Sequence, residues 1–215
     1  MIASACLAGL AMAALAVGLM VIPRRLLAEL GRPPSARKSG AQVLIVLLVE
    51  LATLVGLRIF GHALDGRAQI ALVSLAGVLA AVVLLDVDYF IIPDLYVIVI
   101  VGLALAGPLA QTPVLALAGA AVCGGLLGLV RWSWMRWAGE EGLGLGDVKL
   151  AAALGALLGP IDSLTVVAAA SGLAALTHLL MRRRAERDPD SPPPWMPLGA
   201  FLAATSFARV AWAVA

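Results

Sequence analysis

The apolar runs of this chain constrain its fold more than any other feature. Stretches of about 20 residues with few charges recur along the sequence, and each is long enough to cross a bilayer as a helix. Hydrophobic residues make up 62% of the chain and charged residues only 13%, whereas soluble domains carry roughly 45–50% and about 25%. The sequence therefore predicts an all-α, polytopic membrane helix bundle, because a helix satisfies its own backbone hydrogen bonds inside lipid.

Polar segments divide the chain into about eight predicted transmembrane helices. We expect a single polytopic domain over residues 1–215, with a short basic cytoplasmic loop at 23–40 and no separate soluble domain. One helix is short and follows a glycine-rich run. The predicted spans are 1–22, 41–60, 68–85, 95–110, 113–130, 148–160, 163–181 and 196–214.

The distribution of basic residues predicts an orientation for the bundle. Twelve of the 15 Lys and Arg residues lie in the loops after the first, fifth and seventh spans, if Lys149 at the very start of the sixth span is counted with the loop before it. The positive-inside rule assigns these loops to the cytoplasm and the N-terminus to the outside. Asp86 follows three spans and Asp147 follows five, so both carboxylates are expected at the cytoplasmic face.

Two carboxylates at one membrane face can carry out acid–base chemistry. Ionisable groups at membrane depth are unfavourable and are usually functional. If Asp86 and Asp147 lie close together, they share a proton. One can then activate water while the other protonates the leaving group. This chemistry requires no metal and no cofactor, and none is predicted.

A glycine-rich run leads into Asp147 and contains Gly144 and Gly146. Backbone without side chains can approach an extended substrate closely. Its N–H and C=O groups can also pair with a substrate strand. Both glycines are therefore predicted to bind substrate.

The two cysteines give no sign of a metal or disulfide framework. Cys6 and Cys123 lie in separate apolar runs, and neither forms a CxxC motif. The net charge of +2 gives no argument for nucleic-acid binding.

Two motifs resemble those of the type IV prepilin peptidases. Asp86 is followed by six residues and then Pro93-Asp94, and a GxGD sequence ends at Asp147, about 60 residues later. The segment 197–202 resembles a flanking feature of the family less specifically. The resemblance implies a membrane aspartyl endopeptidase with Asp86 and Asp147 as its catalytic pair. Such enzymes remove the basic leader from pilin or pseudopilin precursors at the cytoplasmic face of the bacterial inner membrane.

The chain departs from many members of that family in its first cytoplasmic loop. Those members have a long loop with paired CxxC motifs and a second activity, which methylates the new N-terminus. The loop at 23–40 is short and contains no cysteine. The sequence therefore resembles a shorter, peptidase-only form, which leaves the methyltransferase activity in doubt.

Four further acidic residues are candidate substrate contacts. Asp88 and Asp94 flank the first motif, where loop or helix-capping roles are the alternative. Glu140 and Glu141 precede the glycine run, where they either steer a basic leader or are simply solvated.

Two other function classes remain open from the sequence alone. Asp86, Asp88 and Asp147 can hold Mg²⁺ for phosphoryl transfer to a lipid, with Lys149 as the only basic residue beside them. The chain can also be a non-enzymatic transporter or assembly protein of a secretion or pilus system. The oligomeric state cannot be predicted from these patterns.

Overall fold

The computed structural model describes residues 66–106, 109, 111–185 and 196–214, together with parts of 44–55. In these residues every regular element is a helix, which confirms the all-α prediction. The predicted first span and most of the second lie outside the described residues. The six continuous helices are α1 (Gly66–Tyr89), α2 (Asp94–Ala106), α3 (Pro113–Ala138), α4 (Leu145–Leu158), α5 (Pro160–Ala185) and α6 (Leu198–Val214).

Three of these helices contain segments long and apolar enough to cross a membrane, which identifies a membrane protein. The segments are Gly66–Tyr89, Pro113–Ala138 and Pro160–Arg183. Two further helices are apolar but shorter, with segments Asp94–Leu105 and Leu198–Ala213. The total of eight spans and the outside N-terminus stay predictions.

Several helix ends lie beyond the predicted ones. Helix α1 continues to Tyr89, so that Asp86 lies in its last turn rather than after it. Helix α3 continues to Ala138, where Gly139 ends it with a φ of 72°. Glycine adopts this left-handed conformation without strain. Helix α4 begins at Leu145, before Asp147. Hydropathy predicts only the apolar part of each helix, whereas the helical backbone continues into the more polar residues beside it.

Small residues bring α3 and α4 close together. A Cβ atom on Gly119 would overlap the carbonyl group of Gly155, and one on Gly155 would overlap the carbonyl of Gly119. One turn further along, a Cβ on Gly124 would lie 2.8 Å from the Cβ of Ala152. Small residues allow such close approach of membrane helices. The contact fixes α4, and with it Asp147, against α3.

Polar contacts join helices at both ends of the bundle. Arg209 of α6 pairs with Asp162 at the start of α5, at 2.8 Å. At the opposite end, Asp86 late in α1 contacts Ala200 early in α6. Helices α5 and α6 are therefore antiparallel, and the end of α5 lies towards the same end of the bundle as Asp86.

The one cysteine in the described part of the chain is Cys123, a buried free thiol. Its Sγ lies 3.0 Å from Oγ of Ser163, so it forms a hydrogen bond between α3 and α5. Cys6 lies outside the described residues.

Candidate active site

Asp86 is buried in the last turn of α1, with 4% of its surface exposed. Its Oδ2 accepts a hydrogen bond of 2.8 Å from the backbone N–H of Ala200, in the first turn of α6. The backbone N–H of Gly199 also interacts with this carboxylate. The first N–H groups of a helix have no partner within the helix. The start of α6 therefore holds a side chain that is 114 positions away in the sequence.

Asp147 lies in the first turn of α4 and faces back towards the residue that precedes the helix. That residue, Gly144, is the N-cap and has no side chain to form a capping bond. Oδ2 of Asp147 lies 3.1 Å from the position of a Cβ on Gly144, and the N–H of Gly144 interacts with the carboxylate. An acidic side chain that reaches back to the N-cap N–H forms half of a capping box. Local helix chemistry therefore fixes the orientation of Asp147.

The two aspartates meet at Gly199. A Cβ atom built on this glycine would lie 3.0 Å from Oδ2 of Asp86 and 3.0 Å from Oδ1 of Asp147. The two carboxylate oxygens are therefore no more than twice that distance apart. The structure thus brings together the two residues that the sequence predicts as a pair.

The glycine-rich loop before α4 is bound to the last turns of α3. Arg131 donates hydrogen bonds to the carbonyl of Leu143 and to Oε1 of Glu141, the second at 2.6 Å. Gly142 packs against Trp134, since a Cβ on this glycine would lie 2.5 Å from the indole Cδ1. A larger residue at position 142 would therefore have to displace this indole.

Gly144 and Gly146, both predicted to bind substrate, differ in their surroundings. Gly144 is exposed, whereas Gly146 lies inside α4, where a Cβ would be 3.2 Å from the Cβ of Ile92. Because the backbone is helical from Leu145 onwards, pairing with a substrate strand is limited to the loop that ends at Gly144. The structure gives Gly146 a packing role.

Asp94 and Asp88 do not join the carboxylate pair. Asp94, at the start of α2, accepts hydrogen bonds from Nζ of Lys149 at 2.8 and 3.0 Å. Asp88 is exposed on α1. It lies two positions after Asp86, and residues with this spacing do not share a helix face.

Glu140 and Glu141 are both exposed in the loop between α3 and α4. The ion pair with Arg131 gives Glu141 a role in anchoring this loop. Glu140 forms no hydrogen bond or ion pair among the described residues, and its charge is available to a ligand.

The two aspartate motifs lie within a segment that matches a known protein family. A family model described as the type IV leader peptidase family matches residues 73–179, a segment that contains both Asp86 and Asp147. The chain belongs to the type IV leader peptidase family. The resemblance stated from the sequence is therefore confirmed.

Individual relatives within the leader peptidase family agree with this assignment. The chain is 33% identical over 158 residues to the type 4 prepilin-like proteins leader peptide-processing enzyme of Escherichia coli. It is 32% identical over 163 and 176 residues to the prepilin leader peptidase/N-methyltransferases of Pectobacterium carotovorum and Aeromonas hydrophila. These matches cover 71–77% of this chain but 57% of each relative. No solved structure gives a significant match to the chain.

The structure adds α6 to the site, a helix whose role there the sequence indicates only weakly. Gly199 and Ala200 belong to the segment 197–202, which resembles a flanking family feature. Ile92, in the connection between α1 and α2, also contacts the site but has no recognisable sequence signal. All three act through backbone groups or packing, which do not depend on a distinctive residue type.

The geometry favours carboxylate chemistry over a metal site. Within the described residues, no group of three or more His, Cys, Asp or Glu side chains is arranged to hold a metal ion. The magnesium alternative requires Asp86, Asp88 and Asp147 to lie together, but Asp88 lies on a different face of α1 from Asp86. A close pair of carboxylates shares one proton, and so presents an acid and a base together.

Proposed function

We propose that this protein is a membrane-embedded aspartyl endopeptidase that cleaves the leader peptide from type IV pilin-like precursors. The observation that carries the proposal is the convergence of Asp86 and Asp147 at Gly199, at one end of a helical membrane bundle. Membership of the leader peptidase family supports the reaction class. The names of its relatives support prepilin precursors as substrates.

The paired carboxylates divide the reaction between them. The ionised carboxylate removes a proton from water as the water oxygen attacks the scissile carbonyl carbon. The protonated partner gives its proton to the amine nitrogen as the C–N bond breaks. The proton taken from water restores the shared proton of the pair, so that no metal, cofactor or covalent intermediate is needed.

The site is expected to act at the cytoplasmic face of the bacterial inner membrane. Supporting this, several basic residues lie at the aspartate end of the bundle, as the positive-inside rule requires of a cytoplasmic end. Among the described basic residues, Arg67 and Arg209 lie towards the other end. The basic residues at the aspartate end are Arg131, Arg136, Lys149, Arg182 and Arg183.

The substrate expected here has a short basic leader before a hydrophobic segment. The hydrophobic segment can remain in the bilayer beside the apolar helices while the leader extends to the aspartate end. The exposed carboxylate of Glu140 can attract the basic leader. Cleavage then falls on the cytoplasmic side of the hydrophobic segment.

The test is co-expression of the protein with pilin-like precursors of its host, followed by mass spectrometry of the precursor N-termini. We expect leader removal with the unmodified protein and none with Asp86→Asn. The matched control is Asp162→Asn, at the other end of the bundle, which should retain processing once inserted. Leader removal by inserted Asp86→Asn would overturn the proposal.

A further inference from the structure

The contact between α6 and the carboxylate pair has a consequence for catalysis. We propose that Gly199 is a positioning residue, which sets the spacing of Asp86 and Asp147 through its backbone and through its lack of a side chain. This inference rests on the proposed peptidase function, because it concerns the same site. It adds a third chain segment to the two aspartate motifs.

Backbone contacts provide the first part of the evidence. Gly199 is buried, and its N–H interacts with both carboxylates. The next N–H, from Ala200, donates to the same Oδ2 of Asp86 that approaches Gly199. Because these N–H groups belong to the rigid first turn of α6, the start of this helix controls where the Asp86 carboxylate lies.

The lack of a side chain at Gly199 provides the second part of the evidence. A Cβ on Gly199 would lie 3.0 Å from one oxygen of each aspartate, closer than carbon and oxygen normally approach. It would also overlap Cδ1 of Ile92. Any larger residue at position 199 must therefore displace the carboxylates, the isoleucine or α6 itself.

These two kinds of contact can be separated experimentally. The overlap with Ile92 involves the end of a flexible side chain, and Ile92→Val removes the Cδ1 atom. The contacts with Asp86 and Asp147 remain in the Gly199→Ala/Ile92→Val double variant. The double variant therefore removes the overlap with the side chain at position 92, but it keeps the close contacts between the added Cβ atom and the two carboxylates.

The experiment compares Gly199→Ala, Ile92→Val and the double variant for thermal stability, kcat and KM on a purified precursor. We expect Gly199→Ala to lower both Tm and kcat. The double variant should recover the Tm of Ile92→Val, but its kcat should stay about 10–100-fold below that of Ile92→Val, because small misplacements of reacting groups strongly reduce rates. KM should change little, because Gly199 is buried and is not among the groups proposed to bind the leader or the hydrophobic segment.

Infrared spectroscopy supplies a readout that does not depend on cleavage. The carboxyl bands assigned with Asp86→Asn and Asp147→Asn should shift between Ile92→Val and the double variant. The matched control is Gly172→Ala in α5, where a Cβ meets nothing within 4 Å, and its bands and kcat should match the unmodified protein.

The outcomes distinguish this inference from the proposed function. If kcat recovers together with Tm in the double variant, or if its carboxyl bands match those of Ile92→Val, Gly199 serves packing alone and the inference is wrong. If the unmodified protein cleaves no precursor, the proposed function fails, while the infrared comparison still decides whether Gly199 positions the pair.

Discussion

Lys149 forms an ion pair with both carboxylate oxygens of Asp94, at 2.8 and 3.0 Å. Lys149 lies two residues after Asp147 in α4, and Asp94 begins α2, so the pair connects the two aspartate motifs directly. Both side chains are substantially exposed, at 42% and 65%. Exposed pairs contribute at most about 1 kcal/mol to stability. We therefore expect this pair to act mainly by aligning α2 with α4.

The first prediction concerns this ion pair. Lys149→Met and Asp94→Asn should each lower kcat by roughly 2–10-fold, while Tm changes little, because an exposed pair adds little stability. If both residues act through one interaction, their losses will not multiply in the double variant. Multiplied losses, or a rise in KM confined to Asp94→Asn, would show that Asp94 contacts substrate independently of Lys149.

The second prediction concerns the close approach of α3 and α4. Gly119→Ala should lower the free energy of unfolding by about 1–3 kcal/mol, because the added methyl group meets the Gly155 backbone and overpacks the interface. The matched control is Gly125→Ala on the same helix, where the added Cβ meets nothing within 4 Å. Reversible unfolding in mixed detergent measures both. Equal stability of the two variants would contradict the backbone contact.

The third prediction separates the two glutamates of the α3–α4 loop. Glu140→Gln should raise KM for a precursor with a basic leader, and the increase should shrink at high salt, because exposed charges are screened. Glu141→Gln should instead lower kcat, because it weakens the bond from Arg131 that anchors the loop. Steady-state kinetics at two salt concentrations measure both effects. A salt-sensitive KM increase in Glu141→Gln alone would reverse these roles.

The fourth prediction concerns cofactors and methylation. Purified protein should cleave at the same rate with a chelator present and without adenosylmethionine, because the carboxylate pair completes the reaction by itself. The product should carry an unmethylated N-terminus even when adenosylmethionine is added, since loop 23–40 contains no cysteine. Mass spectrometry would contradict this if one methyl group appeared on the product only in the presence of this protein.

The meeting of Asp86 and Asp147 could be predicted because charges are scarce in an apolar chain. Each carboxylate stands next to a recognisable span, so counting spans assigns both to one face. The family motifs then identify the pair. The contribution of α6 could not be derived in this way. Gly199 and Ala200 act through backbone N–H groups, which carry no sequence signal, and the Ala200 N–H is 114 positions away from its partner Asp86.

The ion-pair partners of individual residues near the two aspartates could not be predicted from the sequence either. Asp94 and Glu141 are acidic residues near a site for a basic leader, so the sequence makes them candidate substrate contacts, and this role stays a prediction. Their partners Lys149 and Arg131 come from other helices, and only the packing of α2, α3 and α4 shows these ion pairs. The glycine run likewise indicated an open backbone, whereas Gly146 packs against Ile92 within a helix.

The most direct test of the central claim is the single-turnover rate of precursor cleavage by Asp86→Asn, Asp147→Asn and the double variant. Each single change should reduce the rate by about 10²–10⁴-fold, the usual contribution of general acid–base catalysis. The double variant should be no slower than the worse single variant, because the two carboxylates act as one unit. Normal cleavage by either folded single variant, or losses that multiply in the double variant, would contradict a shared catalytic pair.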